Sequence, residues 1–183
     1  MAKQMYTLRD IPKYETIKAH AARYPEVDPA SSATCVLLLR IASDILAQVD
    51  DYLSNHGLSQ GRWQVLMLLY RTPELTQNPC ELARKAGVTR ATMTGLLDGL
   101  EREELVSRET VAADRRMLDV RLHPKGIKYL EEVMPGYFRL IRRVMRGLTE
   151  EEKQQMITLL TKLGSTVEIP ENPDPAKVAG AVG

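Results

Sequence analysis

The chain has 183 residues, of which 44% are hydrophobic and 27% charged, and its formal net charge is +1. This composition is typical of a soluble globular protein and excludes a disordered polyelectrolyte. Because no run of about 18 apolar residues occurs and the first residues are polar, we expect no membrane span, no secretory signal and a cytoplasmic protein. A net charge this small also means that any binding to nucleic acid must depend on local positive charge.

The residue types that carry catalysis or bind metals are scattered along the sequence. Cys35 and Cys80 are too few and too far apart for a disulfide framework or a zinc site, and the three histidines match no metal-ligand spacing. The sequence contains no phosphate loop, nucleophile elbow or dinucleotide motif. We therefore expect no metal, no cofactor and no enzymatic activity.

The N-terminal part of the chain predicts an arm followed by one long helix. Residues 1–30 carry three prolines around a short helical stretch, Tyr14 to Arg23, and are interpreted as an arm. From Ser31, apolar residues recur at helical spacing up to a stop signal at Asn55-His56-Gly57. The apolar stripe of this helix is wide, which is typical of a helix that packs against more than one neighbour.

Three shorter helices are predicted next. The first of them begins at Ser59 and ends at about Tyr70, before Pro73. The second begins with Asn78-Pro79-Cys80-Glu81, which supplies a cap, a first-turn proline and a glutamate that reaches back, and it ends at Gly87. The third is capped by Thr89 and extends from Arg90 to about Glu104. The residues predicted to face inward in the first and third of these helices are Trp63, Leu66, Met67, Leu69, Met93, Leu96, Leu97 and Leu100.

The period of the pattern then changes from helical to two. Leu105–Arg108 and Leu118–Leu122 alternate apolar and polar residues, which predicts two half-buried strands. Residues 111–116 between them are interpreted as a polar hairpin loop.

Two further helices and a tail complete the predicted elements. Pro124 begins a long helix that ends at about Gly147, and Thr149 with Glu152 forms a capping box for a last helix through about Val167. Residues 168–183 are rich in proline, glycine and alanine and are interpreted as a disordered tail.

These elements predict a fold that is mainly α with a small two-stranded β-wing. Residues 58–123 form a winged helix-turn-helix, which is a DNA-binding domain. Residues 31–57 and 124–167 form helices that are apolar on one face and find no partner in so short a chain. A homodimer formed through these N- and C-terminal helices would supply that partner.

The helix-turn-helix predicts specific contacts with double-stranded DNA. Its second helix lies in the major groove, where arginine bonds guanine and threonine bonds a base or a phosphate. The hairpin carries arginines that suit a minor groove, with Asp114 orienting a guanidinium. The alternative is a solvated helix and a solvated turn with a local ion pair. The predicted DNA contacts are Thr89, Arg90, Thr92, Thr94, Arg108, Arg115 and Arg116.

At these residues the chain resembles the MarR family of transcription regulators, over about residues 33–167. The segments that carry the resemblance are Leu58-Ser59, Glu81-Leu82-Ala83, Gly87-Val88-Thr89-Arg90-Ala91-Thr92, Asp114-Arg115-Arg116 and Leu122-His123-Pro124-Lys125-Gly126. The resemblance implies a winged-helix homodimer that represses transcription until a small molecule or an oxidant lowers its DNA affinity. Two departures are Gly95, where many relatives carry a basic residue, and His123, where threonine is usual and caps the next helix.

The resemblance leaves two routes open for the signal. Cys35 lies where the peroxide-sensing branch of the family has its reactive cysteine, but Val49 and Gln60 stand where that branch has tyrosines, so we expect an inert core thiol. Cys80, in the first turn of a helix, is expected to fill space.

The other route is a ligand cleft that in relatives often takes aromatic carboxylates. Here Arg40 and Arg62 would pair with an anionic effector and Trp63 would stack on its ring. The alternative makes both arginines surface charges and Trp63 a core residue.

Two other classes of protein are less compatible with this sequence than a DNA-binding regulator. A winged helix also serves as a protein–protein interaction module, but that interpretation leaves Arg90, Arg115 and Arg116 unexplained. An enzyme would need a nucleophile and a base at matching positions, and the sequence offers no such pair.

Overall fold

A computed structural model describes residues 11–21, 23–111 and 114–167, without the side chains of residues 111–117. The chain divides into two compact units, one that ends at Ser59 and one that begins at Gln60. The predicted tail and the first ten residues of the predicted arm lie outside the described residues.

The first unit contains helix α1 (Tyr14–Ala21) and the long helix α2 (Pro29–Asn55). The Asp28 carboxylate caps α2 by accepting hydrogen bonds from the Ala30 N–H at 3.1 Å and the Ser31 N–H at 3.3 Å. The hydroxyl of Ser31 also donates to Asp28, which is the main reason that the pKa of this carboxyl is lowered. Helix α2 therefore begins two residues before the predicted start at Ser31, because Asp28-Pro29 is a cap and not a break.

Helix α2 exposes much of its apolar surface. Only Ser43, Val49 and Leu53 are buried on it, and the large apolar side chains that it exposes are Leu37, Leu38, Leu39, Ile41 and Leu46. By length and composition α2 is also apolar enough to cross a membrane, which the sequence pattern did not lead us to expect. Arg40 and Asp44 interrupt the apolar surface as an ion pair of 2.7 Å. Core helices of soluble proteins satisfy the same criterion, provided that something covers the exposed face.

The second unit contains the winged helix and the C-terminal helices. Its helices are α3 (Gln60–Tyr70), α4 (Pro79–Ala86), α5 (Arg90–Arg102), α6 (Pro124–Val144), a short 3-10 turn (Met145–Gly147) and α7 (Glu150–Gly164). The predicted caps are confirmed: Asn78 caps α4, Thr89 caps α5, and Thr149 and Glu152 form a complete capping box on α7.

The sheet of this unit has one strand more than the predicted two. Strand β1 (Thr76–Gln77) pairs with β3 (Asp114–Leu122), which pairs on its other side with β2 (Val106–Val111), so the antiparallel order is β1-β3-β2. Both hairpin strands are longer than their alternating segments, and the backbone of Asp114, Arg115 and Arg116 belongs to β3 and not to a loop. A pattern of alternating apolar and polar residues therefore underestimates the length of these two strands.

The core of the second unit lies where α3, α4 and α5 meet the sheet and α6. Of the residues predicted to face inward, Met67 and Leu96 are only half-buried, and Val65, which was not predicted, is buried. The largest fully buried side chains of this unit are Val65, Leu66, Leu69, Leu82, Met93, Leu97, Leu100, Val120, Leu122, Leu130 and Val133.

Helix α7 contributes no buried residue to the chain. It exposes a row of large apolar side chains, namely Met156, Ile157, Leu159, Leu160 and Leu163. Each unit thus carries its own uncovered apolar helix face.

Among the glycines of the second unit, Gly126 in the first turn of α6 lies closest to neighbouring atoms. A Cβ on Gly126 would lie 2.2 Å from the Leu105 carbonyl oxygen and 2.9 Å from Leu122 Cδ1. Since the nearest atom is backbone, we expect Gly126→Ala to lower the free energy of unfolding by about 1–3 kcal/mol. Urea denaturation at a fixed protein concentration measures this loss.

The matched control is Gly95→Ala in α5, where an added Cβ would meet nothing within 4 Å. This change should raise stability by about 0.5–1 kcal/mol, because glycine loses the most backbone entropy in a helix. If the two variants are equally stable, a Cβ at position 126 does not clash with the Leu105 carbonyl and glycine is not required there.

Candidate nucleic-acid interface

A three-residue turn orients α5 relative to α4. Gly87 ends α4 in the left-handed region at φ 65°, and its N–H donates to the Ala83 and Arg84 carbonyls. Val88 N–H also donates to the Ala83 carbonyl, at 3.1 Å. Thr89 then begins α5 by accepting the Thr92 N–H at 3.1 Å. Glycine is the residue that adopts this backbone conformation without a steric penalty, so the turn is encoded locally.

The N-terminal end of α5 presents the polar side chains that the sequence predicted. Thr89, Arg90, Thr92 and Thr94 are all exposed, whereas Met93 between them is only 1% exposed. This arrangement leaves one polar face outward over the first two turns, as major-groove recognition requires.

Hydrogen bonds within α5 occupy the threonine hydroxyls. Thr94 Oγ1 donates to the Arg90 carbonyl at 3.0 Å, and Thr92 Oγ1 lies 2.9 Å from Thr89 Oγ1. No ion pair holds the Arg90 guanidinium among the residues that the structure describes. Arg90 is therefore the charged group of this surface that is available to a base or a phosphate.

Gly95 continues the same exposed surface. Because nothing lies within 4 Å of a Cβ built there, the position has room for a longer side chain.

The position of the wing arginines follows from the backbone alone. Val111 pairs with Asp114 at the end of the hairpin, with a register shift between Thr110 and Val111. This pairing places Asp114, Arg115 and Arg116 in the first residues of β3. Their side chains lie outside the described residues, so the minor-groove contact and the orienting role of Asp114 stay predictions.

Arg108 does not have the surroundings predicted for a DNA contact. Its Nη2 lies 2.6 Å from Asp98 Oδ1 and its Nη1 lies 2.5 Å from Glu101 Oε2. The hydrogen bond to Asp98 is the largest cause of a raised pKa of this guanidinium. Because two carboxylates of α5 pair with Arg108, a DNA contact by this guanidinium would have to displace them, and that contact stays a prediction.

Asp98 and Glu101 are functional candidates that the sequence pattern did not identify. A signal was available, since the period of two places Arg108 on the same face as the buried Val106. That face of β2 is turned toward α5, where a carboxylate was needed to pair with the arginine.

Other basic residues of the second unit are also paired with carboxylates. Arg121 Nε lies 2.8 Å from Glu109 Oε2 across the hairpin, and Lys125 Nζ lies 2.7 Å from Glu104 Oε2. The hydrogen bond from Lys125 is the main reason that the pKa of Glu104 is lowered. These three basic residues are thus neutralised locally, whereas Arg90 at the N-terminal end of α5 is not paired with any described carboxylate.

The three residues predicted to bind an effector have partners within the chain. Arg40 pairs with Asp44, Arg62 forms an ion pair with Glu103, and Trp63 is 7% exposed with its ring centroid 4.8 Å from that of Tyr137. These contacts favour the alternative for Trp63, a core residue. They also mean that an anion at either arginine must compete with a carboxylate.

Both cysteines are exposed, which corrects the expectation that they fill space in the core. Access is one condition for a reactive thiol, and a lowered pKa is the other. No hydrogen bond or ion pair involves Cys35 in the part of the chain that the structure describes. Its inertness toward oxidants stays a prediction.

His123 keeps the cap of α6 despite its departure from threonine. Its Nδ1 accepts the Lys125 N–H at 3.4 Å, a long hydrogen bond. No group of three or more histidine, cysteine, aspartate or glutamate side chains that could hold a metal occurs among the described residues.

Comparisons with known sequences agree with the family that the sequence motifs resemble. The model of the MarR family matches residues 58–118. The HTH-type transcriptional repressor YetL of Bacillus subtilis is 36% identical over 156 residues, which are 85% of this chain and 93% of YetL.

Two solved structures are similar to this chain. The MarR family regulator Sco3205 of Streptomyces coelicolor, solved in complex with DNA, has a TM-score of 0.73 at 20% identity and covers 81% of this chain and 94% of its own. The MepR–DNA complex of S. aureus has a TM-score of 0.65 at 27% identity and covers 72% of this chain and 96% of its own.

The cap of α5 generates a prediction about Thr89. Thr89→Ala removes the hydrogen bond to the Thr92 N–H and should lower the free energy of unfolding by about 1 kcal/mol. Thr89→Ser keeps the capping oxygen and should stay close to the parent chain. Thermal unfolding followed by circular dichroism compares the stability of the three proteins. An equal loss of stability in both variants would mean that the methyl group of Thr89, and not its hydrogen bond to the Thr92 N–H, stabilises the protein.

Proposed function

Because the chain belongs to the MarR family of transcriptional regulators, we propose that it is a repressor that binds a pseudo-palindromic DNA operator as a homodimer. The family consists of regulators and not of enzymes. Direct binding of double-stranded DNA in the cytoplasm is the activity that accounts for the exposed polar face of α5.

The observation that best supports this proposal is that Arg90 is exposed and not neutralised by a described carboxylate. It is exposed in the first turn of a helix that a glycine turn and a threonine cap orient, and none of the described carboxylates neutralises it. By contrast, Arg108, Arg121 and Lys125 are paired. Arg90 therefore offers a charge to DNA at the N-terminal end of α5, where a recognition helix contacts the major groove.

The homodimer is proposed from the two uncovered apolar faces. Large aliphatic side chains on α2 and on α7 are between about one-third and two-thirds exposed, for example Ile41 at 54% and Leu159 at 67%. An apolar surface of this extent is expected to be covered by a partner. A second copy supplies identical faces in a two-fold arrangement, and it also presents two recognition helices to one side of a duplex.

Relief of repression by a small aromatic or anionic effector is proposed on the family alone. Arg40 and Arg62 are the candidate anion ligands, and either would have to exchange Asp44 or Glu103 for the effector. Such an exchange would remove an internal ion pair as the effector binds, which is a way to couple binding to a change in conformation.

The test of DNA recognition is selection of bound sequences from random duplexes, followed by measurement on the selected operator. Arg90→Ala should cost about 1–3 kcal/mol and relax preference at one symmetric position of each half-site. Arg102→Ala, at the opposite end of α5, is the matched control and should leave preference unchanged. If both variants lose affinity equally on selected and random DNA, Arg90 does not read a base.

A salt series on the same operator measures the charged contacts. With Arg108 paired internally, Arg90, Arg115 and Arg116 of both protomers give about six contacts, so log K should fall against log salt with a slope of about −5. A slope near zero would contradict the proposed function.

The test of assembly uses sedimentation velocity. The parent chain should sediment at twice 20.6 kDa. Leu160→Glu places a charge on the exposed apolar face of α7 and should yield a monomer. Gln155→Glu, about 140° around the same helix, is the control and should remain dimeric. A monomeric parent chain at micromolar concentration would remove the basis for palindromic recognition.

A further inference from the structure

Arg108 lies at the base of the hairpin on the face that is turned toward α5. In register it stands opposite the buried Val120, and it shares its face with the buried Val106. The next residue, Glu109, points to the outer face, where it pairs with Arg121. Each face of the hairpin base therefore has its own ion pair, and only the inner one reaches the recognition helix.

The contacts between Arg108 and α5 involve three separate donors. Two guanidinium nitrogens bond Asp98 and Glu101, and the Arg108 backbone N–H donates to Glu101 Oε1 at 3.2 Å. Asp98 and Glu101 are three residues apart, so both carboxylates lie on one side of the helix. A planar guanidinium held at two points fixes an orientation that a single ammonium contact would not fix.

We propose that Asp98, Glu101 and Arg108 form a positioning triad that sets the angle between the wing and the recognition helix, so that both reach the operator together. The inference rests on the proposed function, because an angle between two elements matters only if both touch one DNA molecule. Arg108 acts here through the hairpin and does not touch DNA.

The geometry makes the wing sensitive to this angle. Val111, at the end of β2, lies three positions after Arg108, which corresponds to about 10 Å of strand. A rotation of about 10° at the base would displace the end of the hairpin by about 2 Å, which is enough to break a hydrogen bond of ordinary length.

The triad contributes to orientation far more than to folding. The hairpin base is already held by Leu105, Val106 and Val120, which are buried. Asp98 and Glu101 are 49% and 39% exposed, and ion pairs this exposed contribute little to stability. Loss of one carboxylate should leave the protein folded and the wing less restrained.

The rival role for Arg108 is a direct phosphate contact, and it predicts the opposite sign. If Arg108 were a DNA contact, removing a competing carboxylate would free it and raise affinity for every duplex. If the triad positions the wing, the same change lowers affinity for the operator relative to random DNA.

The experiment compares Glu101→Gln with Glu109→Gln on the operator and on random DNA. Both variants remove one negative charge from the hairpin region, so affinity for random DNA should change equally in the two. Only Glu101→Gln should lower the ratio of operator to random affinity, by about tenfold. If the wing arginines enter a narrow minor groove, binding should favour A·T-rich flanks, and Glu101→Gln should weaken that preference. Arg108→Lys should behave like Glu101→Gln, since an ammonium cannot hold both carboxylates in the same geometry.

Amide hydrogen exchange of the DNA-free protein provides the second measurement. Residues 108–111 and 118–122 should exchange faster in Glu101→Gln than in Glu109→Gln, with unchanged exchange in α4. Equal exchange in the two variants, or a rise in operator affinity for Glu101→Gln, overturns the triad. Failure of the parent chain to select any sequence overturns the proposed function instead, while the exchange comparison still decides the triad.

Discussion

The arrangement of the second unit depends on one close backbone approach, in which Gly126 lies against the Leu105 carbonyl. The same carbonyl accepts the His123 N–H at 3.0 Å. Leu105 directly precedes β2 and Gly126 lies in the first turn of α6, so the contact joins the hairpin to the helix that leaves it. A side chain at position 126 would push these elements apart. The contact therefore fixes where α6 begins relative to the base of the hairpin.

Charge pairing explains how a chain of net charge +1 can present a positive surface. In the second unit, Arg62, Arg108, Arg121 and Lys125 each face a carboxylate from another element. These pairs neutralise those basic residues, whereas Arg90 at the N-terminal end of α5 keeps its charge available. Local positive charge of this kind can attract DNA even where the net charge of the chain is close to zero.

Local signals allowed the helices and their caps to be predicted, and tertiary contacts account for what was missed. Asn78, Thr89 and Thr149 each cap the helix that directly follows, so their role can be read from neighbouring residues. Strand β1 has two residues and forms only because β3 lies beside it, which no periodicity can signal. The pairing of Arg108 required the fold to bring α5 and β2 together.

The exposure of Cys35 and of the leucines around it could not be predicted for a different reason. Their pattern indicates burial, and burial of α2 in a single chain is incomplete. The homodimer proposed above would cover these side chains, which would reconcile their pattern with their exposure on α2.

In a two-fold assembly, a small displacement of the wing would lower DNA affinity at both half-sites. Each protomer would contact one half-site with its own helix and wing, so a misplaced wing would reduce affinity once per half-site. A loss of about 0.7 kcal/mol in each half-site would sum to about 1.4 kcal/mol, a factor of ten in the equilibrium constant, if the two half-sites are independent. A half-exposed ion pair that contributes little to folding can therefore have a large effect on recognition. Such a contact is also easily altered, because its loss would change DNA affinity without unfolding the protein.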